Sequence, residues 1–121
     1  MQADAEQLKQ VFLNIILNAV EAMSQNPPER SRTLIISIEK GASIDDHSHY
    51  LLLSFEDSGK GISEKDLDHI FNPFFTTKDE GTGLGLAICY GIINRHEGEI
   101  EVHSTPGKGT CFTIKLPQYI V

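Results

Sequence analysis

The sequence predicts an α/β fold of two layers, a sheet with helices packed on one of its faces. Three observations carry that expectation. The hydrophobic patterns run in the order helix, two strands, short helix, long loop, helix, hairpin, an order that suits helices laid on a mixed sheet. A chain of 121 residues is long enough for one buried core and too short for a second. Forty per cent hydrophobic and 22% charged residues is the composition of a folded domain.

From Asp4 to Gln25 the residues Leu8, Val11, Phe12, Ile15, Ile16, Ala19, Ala22 and Met23 recur at three- and four-residue steps, the helical period. Pro27 and Pro28 stop this helix, since proline cannot continue the hydrogen-bond ladder. Thr33–Glu39 and Tyr50–Glu56, rich in Leu and Ile, read as neighbouring strands across a Gly41–Ser48 turn region. Ser63 with Asp66 three residues on resembles a capping box and predicts a short helix from about Glu64 to Ile70. Asn72–Gly83 has no periodicity and reads as a long loop. Leu84–Arg95 is helical again. Glu99–Ser104 and Thr110–Leu116 alternate as two strands about a Pro106-Gly107 turn. The chain contains no internal repeat or linker.

Composition also excludes functions. Ten Lys/Arg against seventeen Asp/Glu give a net charge of −7, which supplies no broad positive field for a nucleic-acid backbone. The longest nearly apolar stretch, Leu84–Ile93, carries two glycines and falls well short of the roughly 20 residues a bilayer demands. Asp4 and Glu6 stand where a secretion signal would be basic. Cys89 and Cys111 lack metal-ligand spacing and are expected as buried, reduced thiols in a cytoplasmic setting.

Four segments carry candidate chemistry. The first helix is apolar around most of its circumference and should be largely buried; Gln7, Asn14, Asn18, Glu21 and Gln25 fill one narrow polar wedge. Asn14 and Asn18, one turn apart, then face either a cavity or water. Asp57-Ser58-Gly59-Lys60-Gly61 follows a strand directly, so its glycines allow close backbone approach and Asp57 can accept hydrogen bonds from an amine. Gly81-Thr82-Gly83-Leu84-Gly85-Leu86 opens a helix, where free N–H groups make a seat for phosphate. It lacks the lysine of a Walker loop and the spacing of a dinucleotide fingerprint. In Phe71-Asn72-Pro73-Phe74-Phe75-Thr76-Thr77-Lys78, aromatics could anchor a loop while Lys78 reaches an anion, although paired phenylalanines more often belong to a core.

In this order the four segments resemble the N, G1, F and G2 boxes of the sensor histidine kinase catalytic and ATP-binding domain, and the likeness runs from Asp4 to Pro117. The ending, from Gly98 through Gly107-Lys108-Gly109-Thr110 to Leu116-Pro117, is similar to that family's closing hairpin. PFFTTK followed by GTGLGL most resembles kinases of the nitrogen-regulation type. The resemblance implies the Bergerat fold, a two-layer α/β (α+β) sandwich whose mixed, mostly antiparallel sheet of about five strands is backed by three helices, with ATP under a lid. It implies that Asp57 accepts the adenine amine, that Gly59, Gly61 and Ile62 shape the base pocket, and that Thr110 joins it through water. Asn18 would ligate Mg²⁺ with Asn14 supporting the phosphates. Phe74, Phe75, Thr77 and Lys78 would belong to the lid. Gly81, Thr82, Gly83, Leu84, Gly85 and Leu86 would wrap the phosphates. Catalytic work would fall to Asn14, Asn18 and Lys78.

Related ATPases carry a glutamate one turn before the metal-binding asparagine, where this chain has Asn14, and an amide is no base. Efficient hydrolysis is therefore not expected, whereas transfer to a histidine needs mainly positioning and charge neutralisation. None of His47, His49, His69, His96 and His103 stands in the context of the family's phosphoacceptor hairpin. The expected partners are a histidine-bearing dimerisation domain of the same kinase and a response regulator. Alternatives are a non-catalytic ATP sensor, an ATPase of the wider superfamily and an anti-sigma-type serine kinase. A −7 domain meeting a polyanion must rely on Mg²⁺, a helix N-terminus and Lys78 for local positive charge.

Overall fold

The computed structural model describes residues 4–42, 49–73 and 85–117. Its elements are α1 (Ala5–Met23), β1 (Leu34–Ala42), β2 (His49–Asp57), α2 (Glu64–Leu67), α3 (Gly85–Arg95), β3 (Glu99–Thr105) and β4 (Gly109–Pro117). The strands form one sheet in the order β1-β2-β4-β3, every neighbouring pair antiparallel. The predicted two-layer fold class stands. The sheet differs in detail: among the described residues it has four strands, not about five, and no parallel pair. The reason is local, because β1–β2 and β3–β4 are consecutive antiparallel neighbours and only β2–β4 joins the two pairs.

Alternation decides which sheet face is covered. Leu53, Phe55 and Asp57 on β2 are buried, as are Thr110, Phe112, Ile114 and Leu116 on β4, each set two residues apart. Against this face lie Val11, Ile15, Ala19 and Met23 of α1 and Cys89, Ile92 and Ile93 of α3. Each buried aliphatic side chain contributes roughly 1.5–3 kcal/mol relative to exposure. Asp4 caps α1, its side chain accepting from the Glu6 and Gln7 N–H groups at 3.1 Å.

Three expectations need correction. The first helix is not largely buried: Leu13, Leu17 and Val20 are 56%, 48% and 52% exposed, because α1 has the sheet and α3 on one side only. The second helix is one turn and stops at Leu67. Ser63 caps it by accepting the Asp66 N–H, but beyond it the His69 and Asn72 N–H groups bond three residues back, a tighter winding than the α-helix allows. Both cysteines are free thiols, yet only Cys89 is buried; Cys111 lies half-covered on the outer face. Burial pushes the Cys89 thiol upward from its ordinary range. No described helix is long and apolar enough to cross a membrane.

Candidate functional site

One face of α1 organises the site. Asn14, Asn18 and Ala22 lie one turn apart, and each end of that row touches a different predicted segment. The Asn14 amide donates to the Gly85 carbonyl at 3.5 Å, at the start of α3. The Ala22 carbonyl accepts the Lys60 N–H at 3.1 Å, in the turn after β2. Asn18, half-buried, stands between. The structure thus brings together the asparagine pair, the Asp57–Gly61 turn and the last glycine of the 81–86 segment.

Asp57 is only 6% exposed, because the alternation of β2 turns it to the covered face. The Gly59 N–H donates to its Oδ1 at 2.8 Å. Burial raises the Asp57 carboxyl above its ordinary value, while the Gly59 and Thr110 backbone amides and the Arg30 charge favour the ionised form and Glu56 disfavours it. An ionised carboxylate accepts hydrogen bonds and donates none, which fits it to an amine.

The turn is clamped from the loop between α1 and β1. Arg30 Nη2 donates to the Gly59 carbonyl at 2.6 Å, and Asn26 Nδ2 donates to the carbonyls of Ser58 at 2.9 Å and Ser31 at 3.2 Å. Ser58 Oγ accepts the Thr33 N–H and donates to the Ser31 carbonyl. From the other side the Gly107 N–H bonds the Lys60 carbonyl at 2.7 Å. The two glycines answer this crowding. A Cβ at Gly59 would stand 2.8 Å from the Ala22 backbone; Gly61 has φ +75° and its Cβ would strike the Thr105 carbonyl. Their close approach in the structure is thus to protein. Gly85 is the opposite case: among the described residues nothing lies within 4 Å of its Cβ position.

Thr110, buried and paired with Asp57 across the β2–β4 ladder, has its hydroxyl 2.8 Å from Ser104 Oγ. Ile62 gives its N–H to the same Ser104 oxygen and packs its side chain on the core. A hollow of about 210 Å³ at this end of the sheet is lined by Asp57, Thr110, Ser104, His103 and Lys108, among others. Leu86 packs against the core. Phe71 is a core residue too, its ring 5.4 Å from Tyr90 and 6.5 Å from Phe112. Phe74, Phe75, Thr77, Lys78, Gly81, Thr82, Gly83 and Leu84 lie outside the described residues.

Sequence reasoning missed Asn26, Arg30 and Ser104. No spacing marks Asn26 or Arg30, whose partners lie some thirty residues away. Ser104, just before the Pro106-Gly107 turn, was legible only as a strand end. Among the described residues no group of three or more His, Cys, Asp or Glu could hold a metal ion. Any cation here would rest on the hard amide oxygen of Asn18 and on ligand oxygens, a set that suits Mg²⁺.

Comparison with known proteins agrees with this geometry. The family described as "Histidine kinase-, DNA gyrase B-, and HSP90-like ATPase" matches residues 3–120. The sensor histidine kinase ZraS of Escherichia coli K12 is 46% identical over 120 residues, which are 97% of this chain and 23% of ZraS. The chain thus spans about a quarter of the length of that relative. The solved catalytic domain of histidine kinase ThkA superposes with a TM-score of 0.74 at 37% identity, covering 95% of this chain and 68% of that one. Full-length ShkA, solved in complex with AMPPNP, gives 0.69 at 29% identity, covering 92% of this chain and 21% of that one. The nitrogen-regulation subgroup is a finer assignment than these likenesses carry. The chain belongs to the histidine kinase-, gyrase B- and HSP90-like ATPase family, and its relatives there are sensor histidine kinases.

Proposed function

We propose that this domain binds Mg-ATP and transfers the γ-phosphoryl group to a histidine on a dimerisation domain outside the described chain, for onward passage to a response regulator. The carrying observation is the row Asn14-Asn18-Ala22, which joins a helix N-terminus to a buried carboxylate along one face of α1. Asp57 would accept the exocyclic amine of adenine. The N-terminus of α3, where no described residue crowds the Cβ position of Gly85, would receive phosphate. Asn18 would hold the cation, which when bound neutralises triphosphate charge. Lys78, Thr77, Phe74 and Phe75 are assigned to the lid, and Gly81, Thr82, Gly83 and Leu84 to the phosphate loop, on sequence alone.

The family and the ShkA complex support nucleotide binding. Asn14 supports transfer over hydrolysis, since its amide touches the Gly85 carbonyl and has no basicity with which to activate water. An external acceptor is assigned because none of the five histidines stands in the family's phosphoacceptor context; His96, the one buried histidine among those described, also has its ring engaged by backbone on both sides.

The test supplies a histidine-bearing hairpin of a related kinase with labelled ATP, Mg²⁺ and this domain. Acid-labile, base-stable label on the hairpin histidine is expected. Binding without transfer would identify a nucleotide sensor, acid-stable label on a partner a serine kinase, and rapid phosphate release an ATPase. Nucleotide affinity should collapse in excess chelator; equal affinity there would contradict the metal's role.

A further inference from the structure

Ser104 makes three hydrogen bonds, and they leave it no freedom. A hydroxyl has one proton and two lone pairs. The Gly109 carbonyl, 2.9 Å from Ser104 Oγ, can only accept, so it takes the Ser104 proton. The Ile62 N–H, at 2.7 Å, can only donate, so it occupies one lone pair. The remaining neighbour, Thr110 Oγ1 at 2.8 Å, meets the other lone pair and must therefore donate. With its own proton committed to Ser104, the Thr110 hydroxyl can present only lone pairs to a ligand.

Thr110 stands directly opposite Asp57 in the β2–β4 register, and Asp57 is likewise an acceptor when ionised. The Thr110 hydroxyl and the ionised Asp57 carboxylate, opposite each other on the covered face, are therefore both acceptors. Adenine presents two N–H donors from its 6-amino group, whereas hypoxanthine and guanine present a carbonyl oxygen there. Two acceptors facing that oxygen leave it unpaired and repelled.

We propose that Ser104 is a positioning residue for base selectivity: by taking the Thr110 proton, it fixes that hydroxyl as an acceptor for a 6-amino purine, directly or through one water. The inference rests on the adenine-site reading of Asp57. Without Ser104, the Thr110 hydroxyl rotates and donates to a 6-oxo group, so discrimination falls even where the pocket keeps its shape.

The experiment measures affinities of the domain for Mg-ATP and Mg-ITP, which differ only at position 6 and the adjacent N1 proton. Ser104→Ala is expected to lower the ATP:ITP preference about fivefold to tenfold, the worth of one hydrogen bond of changed polarity. Ser104→Thr, which keeps the hydroxyl, should restore the preference. Thr110→Val should reduce it, and Ser104→Ala/Thr110→Val no further. Equal weakening of both nucleotides in Ser104→Ala would mean a structural role alone and overturn the proposal. Should Ser104→Ala not fold because Ile62 loses its acceptor, an unchanged preference in Thr110→Val overturns it instead. Asp57→Asn binding ATP as tightly as the parent would sink the adenine-site reading itself, an outcome separate from any Ser104 result.

Discussion

The backbone N–H of Asp4 donates to Nε2 of the buried His96 ring at 2.9 Å, across 92 residues of chain. The Ile92 carbonyl, 2.8 Å from Nδ1, can only accept, so Nδ1 carries the ring proton and Nε2 is left to receive Asp4. One imidazole thereby ties the cap of α1 to the end of α3, the two helices that bear the asparagine pair and Gly85. His96→Phe keeps the volume but leaves the Asp4 N–H without its ring acceptor and the Ile92 carbonyl with the backbone N–H of residue 96 alone. It should cost about 1–3 kcal/mol in urea unfolding. A variant as stable as the parent would show that the tie contributes nothing.

Gly85 separates ligand contact from packing. Because no atom of the described residues lies within 4 Å of its Cβ position and its φ is ordinary, Gly85→Ala should fold at least as well as the parent and gain up to about 1 kcal/mol of helix propensity. If the start of α3 receives the triphosphate, the same variant should bind Mg-ATP several-fold more weakly. Unchanged affinity in a stable Gly85→Ala protein would remove phosphate from this helix end.

Asp57 should make the fold pH-dependent in a defined sense. Its folded carboxyl is raised above the ordinary value of 3.8, chiefly by burial, so the folded state holds the proton more tightly than the unfolded chain. That contribution to stability is full below the unfolded pKa and is lost as pH rises through the raised folded one. Asp57→Asn carries no such charge. Its stability relative to the parent should therefore increase between pH 4 and pH 7 in nucleotide-free urea titrations. A gap that is flat or closes with rising pH would contradict the burial account. The same comparison shows whether loss of binding in this variant reflects misfolding.

Much of this was legible in the sequence because it rests on local patterns. The steps of α1, the alternation of β3 and β4 and the Ser63 cap each depend on residues within a turn or two of one another, and all appear where expected. What failed depends on what lies opposite. Leu13, Leu17 and Val20 belong to a helical pattern that says nothing about whether that side is covered. The Asp57 turn was identified from its glycines, but Gly59 and Gly61 meet Ala22 and Thr105, neighbours only after folding. The roles of Arg30 and Ser104 had no signature, since Arg30 holds the Gly59 carbonyl 29 residues away and Ser104 accepts the Ile62 N–H 42 residues away.

The central claim is that a buried carboxylate reads the base. Calorimetric titration of the parent and Asp57→Asn with a non-hydrolysable ATP analogue and Mg²⁺ tests it most directly. The account predicts a variant that stays folded and binds about 100-fold more weakly, as expected when a charged hydrogen bond in a desolvated site is lost. A folded Asp57→Asn protein with the parent's affinity would contradict it.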